Sequence, residues 1–317
     1  MVEIVPGVYQ IETEMGDNRL CLYLLRGERT LLIDSGMAAS PRAAVFPALS
    51  AAGWPQQIDL LLVSHADADH HGGNAAIRAG SPNVTILCHE LDRPRIESKA
   101  SHLRGRYNEV VAADDVYYAP EIMAWLADMI GADTPVEIGL RGNETLGLGD
   151  GMRYQILHTP GHTAGHLSIW NPERRLLIVQ DAVLWRGVPD RGGEVPSPPP
   201  YYDAGAYVQT LRRLRALEPE WLLTAHYPVV HGAAVDEFFA TSLAFVEKVD
   251  QAVLEAVQQA RGPLSLRAVI DAVDDCLGPF AMRIQWIGPV LAQLRQHVTE
   301  GQLRMQTGGE SQTWEPI

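Results

Sequence analysis

Val63-Ser64-His65-Ala66-Asp67-Ala68-Asp69-His70-His71-Gly72-Gly73 puts four metal-capable side chains, His65, Asp67, Asp69 and His70, within six consecutive residues, and two glycines close it. The preceding run, Ile58-Asp59-Leu60-Leu61-Leu62-Val63, is short, apolar and bounded by polar residues, as a buried strand is. A strand that ends in such a turn presents several side chains from one fixed point. His65 and Asp67 lie two apart and can share a face, while the adjacent Asp69 and His70 can address a second centre. A lone loop histidine usually just caps a helix. Metal ligation is the common chemistry that crowds imidazoles and carboxylates this closely.

Working outward, other strands end in polar turns of the same kind. Thr30-Leu31-Leu32-Ile33 runs into Asp34-Ser35-Gly36. Met152 to His158 leads to Thr159-Pro160-Gly161-His162-Thr163-Ala164-Gly165-His166. Leu176-Leu177-Ile178-Val179-Gln180 ends at Asp181, and Trp221-Leu222-Leu223-Thr224-Ala225 ends at His226. Strands alternating with helical stretches, such as Pro41–Ala52 and Ala75–Ala79, argue for an α/β layered fold.

Taken together, these stretches resemble the motifs of the metallo-β-lactamase superfamily, over roughly residues 4–235. The usual first motif is His-x-His-x-Asp-His-x-Gly-Gly, and this chain departs from it by carrying Asp67 at the second histidine position. Thr159 to His166 matches the family's Thr-Pro-Gly-His-Thr-x-Gly-His motif at every defined position. Gln180 replaces a glycine before Asp181, and Ala225 and Tyr227 replace glycines around His226. The resemblance implies an αββα sandwich over about residues 1–240. It implies one metal site at His65, Asp67, His162 and Asp181, and another at Asp69, His70, His226 and Asp181. Asp69 would orient the nucleophile and shuttle its proton. His158 and His166 would be structural, and Asp34 reads either as a support for the ligand loop or as a turn aspartate.

Asp67 alters the charge count. Two divalent ions against Asp67, Asp69, Asp181 and a hydroxide would be neutral, whereas a histidine at position 67 would leave one positive charge. An added anionic oxygen favours a harder ion, so iron or manganese competes with the family's zinc. The expected activity is metal-assisted hydrolysis of a small ester, thioester, lactone or related substrate. An iron-dependent oxidoreductase of the same fold, or a nuclease, is the alternative.

Between the motifs lie two segments that could choose a substrate. Residues 90–140 read as an insertion in which Tyr107, Tyr117, Tyr118 and Trp125 surround a helix from Pro120 to Ile130. They serve either as a substrate-contacting lid or as a helical hairpin on the surface. Gly187 to Tyr202 contains five prolines and reads as a stiff loop walling the site. With Tyr227, the four insertion aromatics are the candidate substrate contacts, offering apolar faces with polar tips.

After residue 240 the histidine clusters stop. Phe245, Val249, Val253 and Val257 stripe one helix, Ser265 caps a second, and Ile287, Leu291, Leu294 and Val298 stripe a third. A hairpin around Gly308-Gly309 follows, so residues 241–317 resemble the winged-helix appendage of some superfamily members. Residues 245–317 carry six Lys or Arg against nine Asp or Glu, which gives phosphate little reason to bind. No nucleic-acid partner is therefore expected; the segment should pack on the catalytic part or on a second copy as a homodimer.

The 317 residues suit one large and one small domain. A net charge of -14 also disfavours a nucleic-acid surface. Three widely spaced cysteines, Cys21, Cys88 and Cys276, read as reduced thiols of a cytoplasmic protein. No run suggests a leader or a membrane span, so no membrane association is expected.

Overall fold

The computed structural model describes residues 1–108, 116–149, 151–308 and 311–317, excluding the side chains of 107, 108 and 311. The Tyr107 side chain, expected to contact substrate, thus lies outside the described residues.

Two sheets stack face to face. The first has seven strands in sequence order: β1 (Val2–Val5), β2 (Val8–Met15), β3 (Asn18–Arg26), β4 (Thr30–Ile33), β5 (Leu60–Leu62), β6 (Thr85–His89) and β7 (Ile138–Leu140). It is antiparallel through β4 and parallel from there on. The second has six: β8 (Thr145–Gly147), β9 (Arg153–His158), β10 (Leu167–Asn171), β11 (Leu176–Gln180), β12 (Trp221–Thr224) and β13 (Val230–His231).

Side-chain alternation sorts each central strand into two cores. In β3, Cys21, Tyr23 and Leu25 face the second sheet, while Leu20, Leu22 and Leu24 face the outer helices. In β11, Leu176 and Ile178 point inward, and Leu177 and Val179 pack outward. Buried on both faces, such strands read as unbroken apolar runs.

Helices cover both outer faces. Against the first sheet lie α1 (Phe46–Ala51), α2 (Ala68–His71), α3 (Asn74–Gly80), α4 (Arg93–Ile96), α5 (Lys99–His102) and α6 (Pro120–Met129). Against the second lies α7 (Ala204–Arg215), which buries Tyr207, Leu211 and Leu214. Asp203 caps it by accepting from the Ala206 amide at 2.8 Å. The result is the expected αββα sandwich. The expected insertion returns to the sheet before residue 140, because β7 pairs in parallel with β6.

The C-terminal part comprises α8 (Ala233–Gln258), β14 (Leu264–Ser265), α9 (Leu266–Leu277), α10 (Ile287–Thr299), β15 (Leu303–Gly308) and β16 (Ser311–Pro316). Its small sheet has the order β14-β16-β15. The expected boundary at 240–241 falls inside α8, whose 26 residues hold no glycine or proline to break it. Val235, Phe238 and Phe239 at its start pack on the second sheet, while Phe245, Val249, Val253 and Val257 pack with α9 and α10. No helix among the described residues is long and apolar enough to cross a membrane.

Candidate metal centre

Every expected ligand lies at or just beyond the C-terminal end of a strand. His65 follows β5, with Asp69 and His70 on the single turn of α2; His162 follows β9, Asp181 follows β11 and His226 follows β12. The two glycines after α2 are required by close approach. A Cβ on Gly72 would stand 2.0 Å from the Met129 carbonyl oxygen, and one on Gly73 2.4 Å from that of Ser35. Gly161, at φ 129, lets the next ligand turn touch α7, where a Cβ would meet the Tyr207 backbone at 2.4 Å.

The four histidines are oriented alike. The Nδ1 of His70 donates to Asp34 Oδ2 at 2.8 Å, that of His162 to the Pro200 carbonyl at 2.5 Å, and that of His226 to the Arg19 carbonyl at 2.8 Å. His65 Nδ1 pairs with Ser64 Oγ at 2.9 Å, and that hydroxyl donates to Asp34 Oδ2 at 2.8 Å. A carbonyl can only accept, so His162 and His226 carry a proton on Nδ1, and in all four rings Nε2 is the atom left to face a cation. All four Nε2 atoms converge on one oxygen. Asp181 Oδ2 lies 3.9 Å from that of His65, 3.6 Å from His70, 3.8 Å from His162 and 3.4 Å from His226.

These residues fit divalent cations. Ligand bonds of about 2.1 Å at tetrahedral angles separate donor atoms by roughly 3.4 Å. His65, Asp67 and His162 form one such group, and Asp69, His70 and His226 another. In the second, Asp69 Oδ2 lies 3.4 Å from His70 Nε2 and 3.7 Å from His226 Nε2. Among the described residues the buried Nε2 atoms of His65 and His70 make no well-formed hydrogen bond, with carboxylate oxygens standing 3.4–3.9 Å away, which leaves them open to a further ligand. Burial opposes charge on His70 and His226, but Asp181 and Asp69 overcome it and raise both above the usual imidazole range. The pocket attracts positive charge.

Two buried aspartates brace the ligand turns. Asp34 accepts from the Ser64 amide at 2.6 Å, the Ser64 hydroxyl, His70 and the Gln180 amide. Gln180 therefore reaches the network that orients His70, a contact its place in the sequence did not suggest. Asp92 accepts from the Ala66 amide at 3.1 Å, the Thr163 hydroxyl at 2.6 Å and the Gly165 amide at 2.9 Å, joining two ligand turns. His166 stacks on His65 with centroids 4.8 Å apart, and His158 donates to the Ala164 carbonyl at 2.8 Å.

Asp67 and Arg106 form the part the motifs did not foretell. Arg106 Nε lies 2.6 Å from Asp67 Oδ1, and a terminal nitrogen lies 2.9 Å from Oδ2. Burial opposes ionisation of Asp67, but Arg106 and His162 hold its carboxyl well below the usual carboxylate range. Only one signal in the sequence pointed to a partner: a surplus carboxylate among ligands, followed by a basic insertion.

A cavity of about 120 Å³ opens over this cluster. Its floor includes Asp67, Asp69, Asp181, His226 and Arg106, and its walls include Met15, Asn18, Trp125, Leu126, Met129, Val188, Pro200 and Tyr202. Met282 and Gln285, from beyond α9, also line it. Of the expected substrate contacts, Trp125 lines this cavity. Tyr117 is exposed, whereas Tyr118 is buried and bonded to Tyr202. The Tyr227 hydroxyl donates to the Gly187 carbonyl at 2.6 Å, and the residue lines a neighbouring cavity beside His226. It pins the loop that follows Asp181.

A model of the metallo-beta-lactamase superfamily matches residues 16–226. A metallo-beta-lactamase fold-containing protein of Sulfurisphaera tokodaii is 26% identical over 225 residues, spanning 68% of this chain and 76% of that protein. The probable metallo-hydrolase YflN of Bacillus subtilis is 26% identical over 238 residues, spanning 71% and 85%. Among solved structures, a metallo-beta-lactamase family protein of Thermus thermophilus superposes over 99% of this chain and 100% of its own, with TM-score 0.76 and 20% identity. A beta-lactamase domain protein of Burkholderia ambifaria gives TM-score 0.75 at 19% identity, over 100% and 94%.

Proposed function

The chain belongs to the metallo-β-lactamase superfamily, and from that premise we propose that it is a hydrolase holding two divalent cations and acting on a small ester, thioester or lactone. The observation that carries this reading is the convergence of four imidazole Nε2 atoms on Asp181 Oδ2. One cation would be held by His65, Asp67, His162 and Asp181, the other by Asp69, His70, His226 and Asp181. When bound, such ions lower the pKa of a coordinated water and polarise the bond to be cleaved. Zinc is the family's expected metal; iron and manganese remain the alternatives that the Asp67 oxygen invites.

The chain's own residues account for the rest. Asp69 stands on the cavity floor, where its carboxylate can take the proton of the attacking water and return it to the leaving group. Met15, Leu126, Met129 and Trp125 exclude water above it, and Asn18 and Gln285 offer the polar contacts that orient a substrate. The narrow cavity favours a small acyl group over a polymer. We read the C-terminal part as a winged-helix-like appendage that completes this wall through Met282 and Gln285, or that meets a second copy. The experiment is metal analysis of protein purified without added metal, followed by hydrolysis assays on ester, lactone and thioester substrates. About two ions per chain and turnover of one substrate class support the reading. A metal-free chain with no turnover after metal is supplied would overturn it.

A further inference from the structure

We infer that Asp67 and Arg106 act as one neutral unit, in which the guanidinium makes the carboxylate equivalent to a histidine toward the cation it faces. This deepens the metal-binding reading above and rests on it. Asp67 sits at the N-cap position of α2, yet its side chain makes no capping bond to that helix. Both of its oxygens go to Arg106 in a fork-to-fork pair, whose side chains are 15% and 4% exposed. Oδ1 is the oxygen Arg106 Nε holds most closely. Oδ2 also faces His162 Nε2 at 3.0 Å and His65 Nε2 at 3.8 Å, so it is the oxygen presented to a cation.

Arg106 is itself fixed in place. A terminal nitrogen reaches the His162 carbonyl at 3.4 Å, and the guanidinium lies 4.0 Å over the Tyr202 ring. It therefore joins two ligand turns as a positioning residue.

Charge decides what this does. A carboxylate alone adds one negative charge relative to a neutral imidazole and weakens the cation as a Lewis acid. Paired with Arg106, it adds none. The charge argument for a harder ion then loses its basis, leaving only the preference of an oxygen donor. The consequence runs against intuition from the motif. Asp67→His restores the usual family residue, yet it leaves the Arg106 charge beside the cation without the carboxylate that offset it.

The test is a competition against a chelator for zinc, using metal-free wild type, Asp67→His, Asp67→His/Arg106→Met, Arg106→Lys and Arg106→Gln. Asp67→His should bind its weaker zinc about tenfold less tightly than wild type, and the double variant should recover to within about threefold. Arg106→Lys keeps the charge but loses the two-pronged fork and the stack on Tyr202, so its zinc affinity should fall between those of wild type and Arg106→Gln. Arg106→Gln leaves the carboxylate charge unbalanced and should bind zinc about tenfold more tightly, with a shifted cobalt spectrum. These two variants keep Asp67, so they decide the matter even if Asp67→His does not fold. A double variant no better than Asp67→His, or weaker zinc binding in Arg106→Gln, overturns the inference while leaving the hydrolase reading intact. Wild type that binds no zinc would instead overturn the reading beneath it.

Discussion

Asp34 and Asp92 are both fully buried, both follow strands of the first sheet, and both tie ligand turns together, yet they act at different removes. Asp34 touches a ligand directly through His70 Nδ1 and reaches His65 through Ser64. Asp92 bonds no ligand side chain; its partners are the Ala66 and Gly165 amides and the Thr163 hydroxyl. One aspartate sets where imidazoles point. The other sets where two loops stand. The two roles should separate in experiment, because a ligand's orientation governs metal affinity and a loop's position governs stability.

Asp181 supplies the upper limit, since its oxygen faces all four histidines. Asp181→Ala should lose more than about 100-fold in metal affinity, beyond the usual range for an outer contact. Chelator competition measures it; retention of two tightly held ions would remove Asp181 from the bridging position.

Asp34→Ala comes next. It strips the acceptor from the Ser64 amide, the Ser64 hydroxyl, His70 and Gln180 together. Metal affinity should fall about 10–100-fold. Stability should fall by about 3 kcal/mol or more, as several buried donors lose their partner. Denaturant unfolding of the metal-free protein reads the second effect separately from the first.

Asp92→Asn sharpens the contrast. The amide keeps one acceptor and turns an NH2 toward donors, so about 1–3 kcal/mol of stability should be lost. Metal affinity should fall less than about tenfold, since no ligand loses its direct partner. If Asp92→Asn released metal as readily as Asp34→Ala, the distinction between aiming a ligand and placing a loop would collapse.

The same pair shows what could be read in advance. Asp34 was legible because it sits in a strand-end turn, Asp34-Ser35-Gly36, that belongs to a recognisable set. The ligands were legible for the same reason: strand-end turns dense in His and Asp stand out against apolar runs. Asp92 carries no such mark, because its partners are mostly backbone groups from turns 26 and 73 residues away. Arg106 stayed hidden among several basic residues of the insertion, its pairing set by how the chain folds over the site. Likewise, Met282 and Gln285 reach the cavity only because α8 carries the C-terminal part back without a linker. The central strands followed from their apolar runs, whereas contacts between segments distant in the sequence had no local pattern to reveal them.

Gln180 gives the smallest and most discriminating effect. It stands at φ 44, a left-handed conformation that costs a residue with a Cβ about 1–2 kcal/mol. Its side-chain amide donates to Asp34, and a hydrogen bond to a charged group contributes about 1.5–3 kcal/mol. Strain and bond therefore nearly offset each other. Gln180→Gly removes both, so its stability should stay within about 1 kcal/mol of wild type. Gln180→Ala removes the bond and keeps the strain, so it should be less stable than the glycine variant by about 1 kcal/mol or more. In both, Asp34 keeps Ser64 and His70, and metal affinity should change by less than about threefold. Unfolding curves for the two variants check the order. Were alanine as stable as glycine, the left-handed turn would carry no strain. Were metal affinity to fall as far as in Asp34→Ala, the Gln180 amide would have to be counted among the groups that aim His70.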